Sequence, residues 1–172
     1  MSAGLEWTSR KNWAETQWRR WIVSKYLIVA NQTLGGDHLM DEVRRRAAAG
    51  ASSFYVVVPN TRSVDAARAS GAPLAPATVS ASAEEDHRAT LISQSRLHQA
   101  LARLRAEGLD ARGDLGDPEP LTAIGDALGV EQFDEIIIST LPSGISRWLG
   151  MDLPRRAERK FKLPVTTVTA RA

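Results

Sequence analysis

Phe133–Gly150, FDEIIISTLPSGISRWLG, is the stretch on which the reading of the fold turns. Its apolar run Ile136-Ile137-Ile138 is short and β-branched, the pattern of a strand covered on both faces. Ser139, Thr140, Ser143 and Gly144 follow at once. In an open parallel sheet, ligands bind beyond the carboxyl ends of the strands, where this turn would lie. Small hydroxyl residues and glycine let backbone N–H groups approach an anion. A plain strand-to-helix connection uses the same residue types, so the stretch alone leaves both readings open.

Toward the C-terminus, Arg147–Leu149 reads as a short helical piece. Asp152 opens a helix carrying Arg155, Arg156, Ala157 and Phe161. Residues 164–169, PVTTVT, read as a strand whose alternating threonines leave one side exposed or facing a partner, which makes it an edge. Toward the N-terminus, Gly113-Asp114-Leu115-Gly116-Asp117-Pro118 predicts a turn and a helix start, with Asp117 as N-cap and Pro118 at the first helical position. Leu121, Ile124 and Leu128 give that helix its stripe, and Gly129 ends it. Leu109–Arg112 is a short third strand. Before it, Ser82 and Glu85 make a capping-box pattern, Leu97, Leu101 and Leu104 form an apolar stripe, and Gly108 stops the helix. Residues 61–81 are rich in Ala, Ser and Pro without a period and read as a long loop.

Phe54–Val58 (FYVVV) is a second strand, and Tyr26–Ala30 (YLIVA) is an apolar, central first strand. Between them Asp37 is a plausible N-cap. Leu39, Val43 and Ala47 recur at helical spacing and Gly50 ends the helix. Arg44, Arg45 and Arg46 read as its solvated face. Residues 1–24 stand apart. They hold Trp7, Trp13, Trp18 and Trp21, and a helix would place Trp7, Trp18, Trp21 and Ile22 on one face. Arg10, Lys11, Arg19 and Arg20 are interspersed, but Glu6 and Glu15 dilute the charge and the stripe is short, so it fits packing on its own domain or on a partner subunit better than a membrane surface.

The order is β-α-β-α-β-α-β-α-β after an N-terminal helix. It predicts an α/β fold, a single-domain three-layer sandwich with a five-stranded parallel sheet and right-handed crossovers. The organisation expected is 1–24 as a helical extension and 25–172 as the domain. At 172 residues, 43% hydrophobic and 24% charged, the chain reads as an ordinary globular domain. Its formal charge of +2 is too small to argue for nucleic acid. It has no cysteine, which excludes disulfides, thiolate metal sites and a cysteine nucleophile. No apolar run is long enough to span a bilayer and no signal peptide is recognisable, so a cytoplasmic location is expected.

His87 and His98 would lie about 16 Å apart along one helix and cannot share a metal ion; with His38 distant in sequence, no metal site is expected. No Gly-Lys-Ser/Thr phosphate loop and no nucleophile elbow is present. Asp114 and Asp117 read as turn and cap residues. Nothing nominates a catalytic base, so the chain is not read as an enzyme.

Three stretches give the chain a resemblance to the universal stress protein family: YLIVANQT, ARGDLGDPEPLTAIGDAL, and FDEIIISTLPSGISRWLG followed by LPVTTV. The resemblance covers about residues 25 to 170. It implies the family's five-stranded parallel sheet, a stress or regulatory role, and a homodimer formed through the last strand, here 164–169. Some members bind ATP. Their glycine motif after the fourth strand runs Gly, two residues, Gly, nine residues, Gly, then Ser or Thr. Here Ser139 or Thr140 stands at the first glycine, Ser143-Gly144 near the second, Gly150 at the third, and Met151 at the hydroxyl. Asn31 replaces the aspartate that usually follows the first strand.

What the resemblance implies is a small-ligand binding module, with ATP, AMP or cyclic AMP as candidate ligands. Asn31, Gln32 and Val58 would border the base. Thr140, Ser143, Gly144 and Gly150 would border the ribose and phosphates, and Arg147 would offer charge to a phosphate. The alternative is a dimeric interaction scaffold that does not bind nucleotide, with protein partners at the tryptophan-rich N-terminus.

Overall fold

The computed structural model of the chain describes residues 23–60, 79–142 and 152–170. The N-terminal helix expected over 1–24, the short helical piece at 147–149 and most of the loop expected over 61–81 lie outside them. The elements are β1 (Ser24–Val29), α1 (Asp37–Ala49), β2 (Ser52–Pro59), α2 (Val79–Ala106), β3 (Asp110–Gly116), α3 (Pro120–Val130), β4 (Glu135–Thr140), α4 (Leu153–Phe161) and β5 (Val165–Thr169). The strands form one sheet in the order β3-β2-β1-β4-β5. Every neighbouring pair is parallel, with Ile28 opposite both Val56 and Ile137 at the centre. The expected five-stranded parallel α/β sandwich is the observed one.

Alternation along the strands builds two cores. Ile28, Phe54, Val56 and Ile137 point to one face, where they meet Leu39, Met40 and Val43 of α1 and Leu97, Leu101 and Leu104 of α2. Leu27, Val29, Ile136 and Ile138 point to the other, against Leu121 and Ile124 of α3 and Leu153 and Ala157 of α4. Ile136, Ile137 and Ile138 are all fully buried. Three consecutive buried residues require helices on both faces, because successive strand side chains point in opposite directions. Each such side chain contributes about 1.5–3 kcal/mol by leaving water.

Several local expectations are corrected. β3 runs to Gly116, so Gly113–Gly116 is strand and not turn. A Cβ on Gly113 would come within 2.1 Å of the Val56 carbonyl oxygen, and one on Gly116 within 2.7 Å of Ala123 and Val57. The glycines therefore serve close strand and helix approach. Asp114 is a strand residue that accepts the Tyr55 hydroxyl at 2.7 Å. Burial first, then this carboxylate, pushes the Tyr55 phenol up to about 12.

The following helix opens one dipeptide later than expected. Glu119 is its N-cap, accepting from Thr122 N at 2.7 Å, and Pro120 is at its start. Asp117 instead accepts from Glu119 N at 2.8 Å. The sequence Asp-Pro-Glu-Pro offers two Pro-based starts, and a glutamate reaching the third N–H decides for the second. α2 begins at Val79, so the pattern expected to open it at Ser82 and Glu85 lies inside the helix and not at its start.

Gly36, not Asp37, is the N-cap of α1. Asp37 is paired with Arg103 at 2.7 Å, and this hydrogen bond holds its carboxyl below the usual range. Nor are the α1 arginines simply solvated. Arg44 holds Glu107 at 2.6 Å. Arg46 donates to Glu135 at 2.6 Å and to Thr166 at 3.1 Å, tying α1 to β4 and β5. The strand expected at Tyr26–Ala30 runs from Ser24 to Val29, so it begins inside the stretch 1–24 read as the extension.

Candidate functional site

β1 and β4 are adjacent and parallel, but the chain leaves them in opposite directions. From β1 it turns to the α1–α2 face, and from β4 to the face that carries α3 and α4. Helices on opposite faces follow the two strands, so their carboxyl ends form the topological switch point of the sheet, where ligands bind in open α/β sheets. The residues at its borders are 30–33 after β1, 58–60 at the end of β2, and 139–142 at the end of β4. None of them is charged.

Thr33 and Ser139 meet in this place. The Ser139 hydroxyl donates to the Thr33 hydroxyl at 2.8 Å, and both residues are buried. The bond holds the loop after β1 against the end of β4. Two further contacts fold the same loop: Leu34 N donates to Asn31 O at 3.2 Å and Gly36 N to Thr33 O at 3.0 Å. Leu34 anchors it in the core at 2% exposure. Burying a hydroxyl pair costs little only when each satisfies the other.

The structure distributes the predicted site residues as follows. Asn31 is half-buried and its amide donates to the Pro59 carbonyl at 3.4 Å, which bridges the ends of β1 and β2. Gln32 is exposed at the switch point. Thr140 is buried, and its carbonyl accepts from Ala170 N at 2.8 Å. Val58 has no exposed surface and belongs to the core beneath the switch point, so it is floor and not wall. Ser143, Gly144, Arg147 and Gly150 lie outside the described residues.

Thr33 and Asn60 escaped the sequence reading. Asn60 N donates to Gly116 O at 3.1 Å and its amide to the Thr90 hydroxyl at 3.0 Å, joining β2, β3 and α2 above the sheet. A signal for Thr33 was present: a hydroxyl three residues beyond a buried strand, with a second hydroxyl ending the other central strand. Only the pairing of β1 with β4 brings the two together.

The amide and hydroxyl groups of the described border residues suit the neutral, hydrogen-bonding parts of a ligand, a base or a sugar. Among the described residues, Arg103 donates to Gly35 O at 3.0 Å on the loop after β1 and is engaged with Asp37. Among the described residues no group of three or more His, Asp or Glu side chains is placed to hold a metal ion. No helix among them is long and apolar enough to cross a membrane.

No family model and no curated protein matches this sequence. Solved structures do. The chain is similar to a protein of the universal stress protein family from Burkholderia pseudomallei, with 14% identity and a TM-score of 0.59 over 84% of this chain and 95% of that one. A universal stress protein from Archaeoglobus fulgidus shows 17% identity and a TM-score of 0.51, covering 86% and 94%. A universal stress protein family protein from Arabidopsis thaliana, solved with AMP bound, shows 8% identity and a TM-score of 0.52, covering 87% and 93%. The sheet order, the two helical layers and these likenesses together establish that the chain has the fold of the universal stress proteins.

Proposed function

We propose that this chain is a universal stress protein-type binding module that takes an adenine nucleotide or a related small ligand at the carboxyl ends of β1 and β4. The observation that carries the reading is the switch point at the ends of β1 and β4, where the described border residues are uncharged and the Ser139 hydroxyl is bonded to Thr33. The AMP held by the Arabidopsis protein of the same fold supports it. Asn31 and Gln32 would border the base and Thr140 the ribose. The phosphates would fall to Ser143, Gly144, Arg147 and Gly150. With Asn31 in place of a carboxylate, AMP or cyclic AMP fits this set better than magnesium-bound ATP. The module binds without transforming its ligand and serves a stress or regulatory role in the cytoplasm.

Mass spectrometry of small molecules released from freshly purified protein, followed by calorimetric titration with ATP, AMP and cyclic AMP, tests this. The expected result is a stoichiometric adenine nucleotide, lost in Asn31→Trp with the fold intact by circular dichroism. At a hundredfold excess over Kd, the ligand would add about 2.7 kcal/mol of stability. No nucleotide and no heat at millimolar concentration would sink the reading.

A second reading, a dimeric scaffold, rests on β5. This edge strand has no charged residue and exposes Thr167 and Thr169. It would pair with the same strand of a second copy. Sedimentation of the full chain measures this directly.

A further inference from the structure

Helix α4 carries a surface that neither reading uses. Arg155, Arg156, Arg159 and Lys160 are exposed on it, and Lys162 is exposed at its C-cap. Residues 152–162 hold five cations against two carboxylates, Asp152 and Glu158. This stretch is therefore more positive than the whole chain at +2, and the remainder is slightly acidic. At ~100° per residue the four helical cations fall within about 140° of the circumference. Leu153 and Ala157 are the buried residues that fasten the helix to the sheet.

Most described cations elsewhere are taken up by carboxylates, as Arg44 is by Glu107, Arg46 by Glu135 and Arg103 by Asp37, though Arg88, Arg96 and Arg105 are not. On α4, Arg155 reaches Asp152 only at 4.0 Å. Lys160 lies 5.2 Å from the centroid of the Phe161 ring. Arg156, Arg159 and Lys162 have no carboxylate partner among the described residues.

Helix electrostatics does not account for the whole patch. Cations are favoured in the last turn, which covers Arg159 and Lys160. Arg155 and Arg156 follow Leu153 and Pro154 in the first turn, where the dipole opposes them and where no acidic residue is present. Lys162 holds φ 57° and ψ 29°, a left-handed conformation that glycine adopts at lower cost. Arg155 and Arg156 thus place charge where the helix dipole disfavours it.

We propose that the exposed face of α4 is a docking surface for an acidic segment of a protein partner. Its nine residues make a ridge about 13.5 Å long. That length matches about four residues of extended chain, whose alternate carboxylates would meet successive arginines. A polynucleotide fits less well, because Glu158 and Asp152 flank the cations and would repel a continuous phosphate surface. A bilayer fits less well too. The exposed large apolar residues of the described structure are Val23, Leu91, Ile92 and Val130, none of them on α4.

The test is fluorescence anisotropy of the full chain with a labelled peptide of alternating Glu and Ser. Duplex DNA and phosphatidylserine-containing vesicles serve as rival probes. The expected result is salt-sensitive peptide binding that weakens roughly tenfold or more in the Arg155→Ala/Arg156→Ala/Arg159→Ala/Lys160→Ala variant. An Arg88→Ala/Arg96→Ala variant, altered at exposed positions of α2, would bind as the wild type does. Arg156→Glu alone gives a second measure should the quadruple variant melt early. No peptide binding, equal loss in the α2 variant, or tighter binding of DNA or vesicles would overturn the proposal.

Discussion

The two edges of the sheet are built on opposite principles. β3 presents Asp110, Arg112 and Asp114, all exposed and all on one side of the strand. Arg112 is paired with Glu131 and lies over the Tyr55 ring, while Asp114 holds the Tyr55 hydroxyl. Another strand approaching this edge would meet charge at every second residue. Natural sheets use that device to prevent edge-to-edge association. β5 presents Val165, Thr166, Thr167, Val168 and Thr169. Its Thr166 hydroxyl donates to Glu135 at 2.6 Å and accepts from Arg46 at 3.1 Å, so this attachment points back into the molecule. An edge strand without charge, fixed from behind, is open to pairing. The comparison teaches that association, if the chain associates through its sheet, belongs to β5.

The largest expected effect breaks the β3 edge from within. Gly113→Val would force a side chain against the Val56 carbonyl, which is backbone and cannot rotate away. A loss of about 3 kcal/mol is expected from such overpacking, read as a lower urea midpoint. An unchanged midpoint would mean that β3 can move away from β2 at no cost.

A change at β5 comes next. Thr167→Lys places a cation on the exposed side of the uncharged edge. The dissociation constant of a β5-paired dimer would rise roughly tenfold or more by sedimentation, while the melting temperature at low concentration stays where it was. A wild-type chain that is monomeric at every concentration would remove the functional meaning of the contrast, though not the contrast.

Smaller still is Thr166→Val. It deletes the hydroxyl that Arg46 and Glu135 share and leaves those two charges paired with each other. A cost of about 1 kcal/mol is expected in chemical unfolding. A larger value would show that β5 depends on this one attachment.

The smallest effect concerns pH at the guarded edge. The Lys25 ammonium and then the Arg112 guanidinium hold the Glu131 carboxyl below the ordinary value of 4.5. A depressed carboxylate stabilises the fold above its unfolded pKa, and the contribution disappears as pH falls through the folded value. Stability should thus drop on acidification below pH 4.5, less steeply in Lys25→Ala than in the wild type. Lys25 is 43% exposed, so the difference between the two curves will be small.

Much of the fold was legible because β-branched and apolar runs state burial directly. YLIVA, FYVVV and the Ile136–Ile138 run are strands in the structure, and their full apolarity announced helices on both faces. β3 was read short for a physical reason. It is an edge whose exposed positions carry charge and whose glycines mimic a turn, so its composition resembles a loop. The position of the candidate site followed from the strand order. Its floor did not, because Ser139 and Thr33 are 106 residues apart in the chain.

The sequence by itself determined the elements, their alternation and the class of sheet, since local periodicity and β-branching encode which surfaces must leave water. It also marked the threonine strand as an edge. Only the tertiary structure decided that Arg46 spans 89 residues to Glu135, that Val58 is floor, and that Thr33 closes on Ser139. Such pairings join groups distant in the chain. Hydrogen bonds and ion pairs of that kind depend on a geometry that exists only once the sheet has assembled and its two cores are packed.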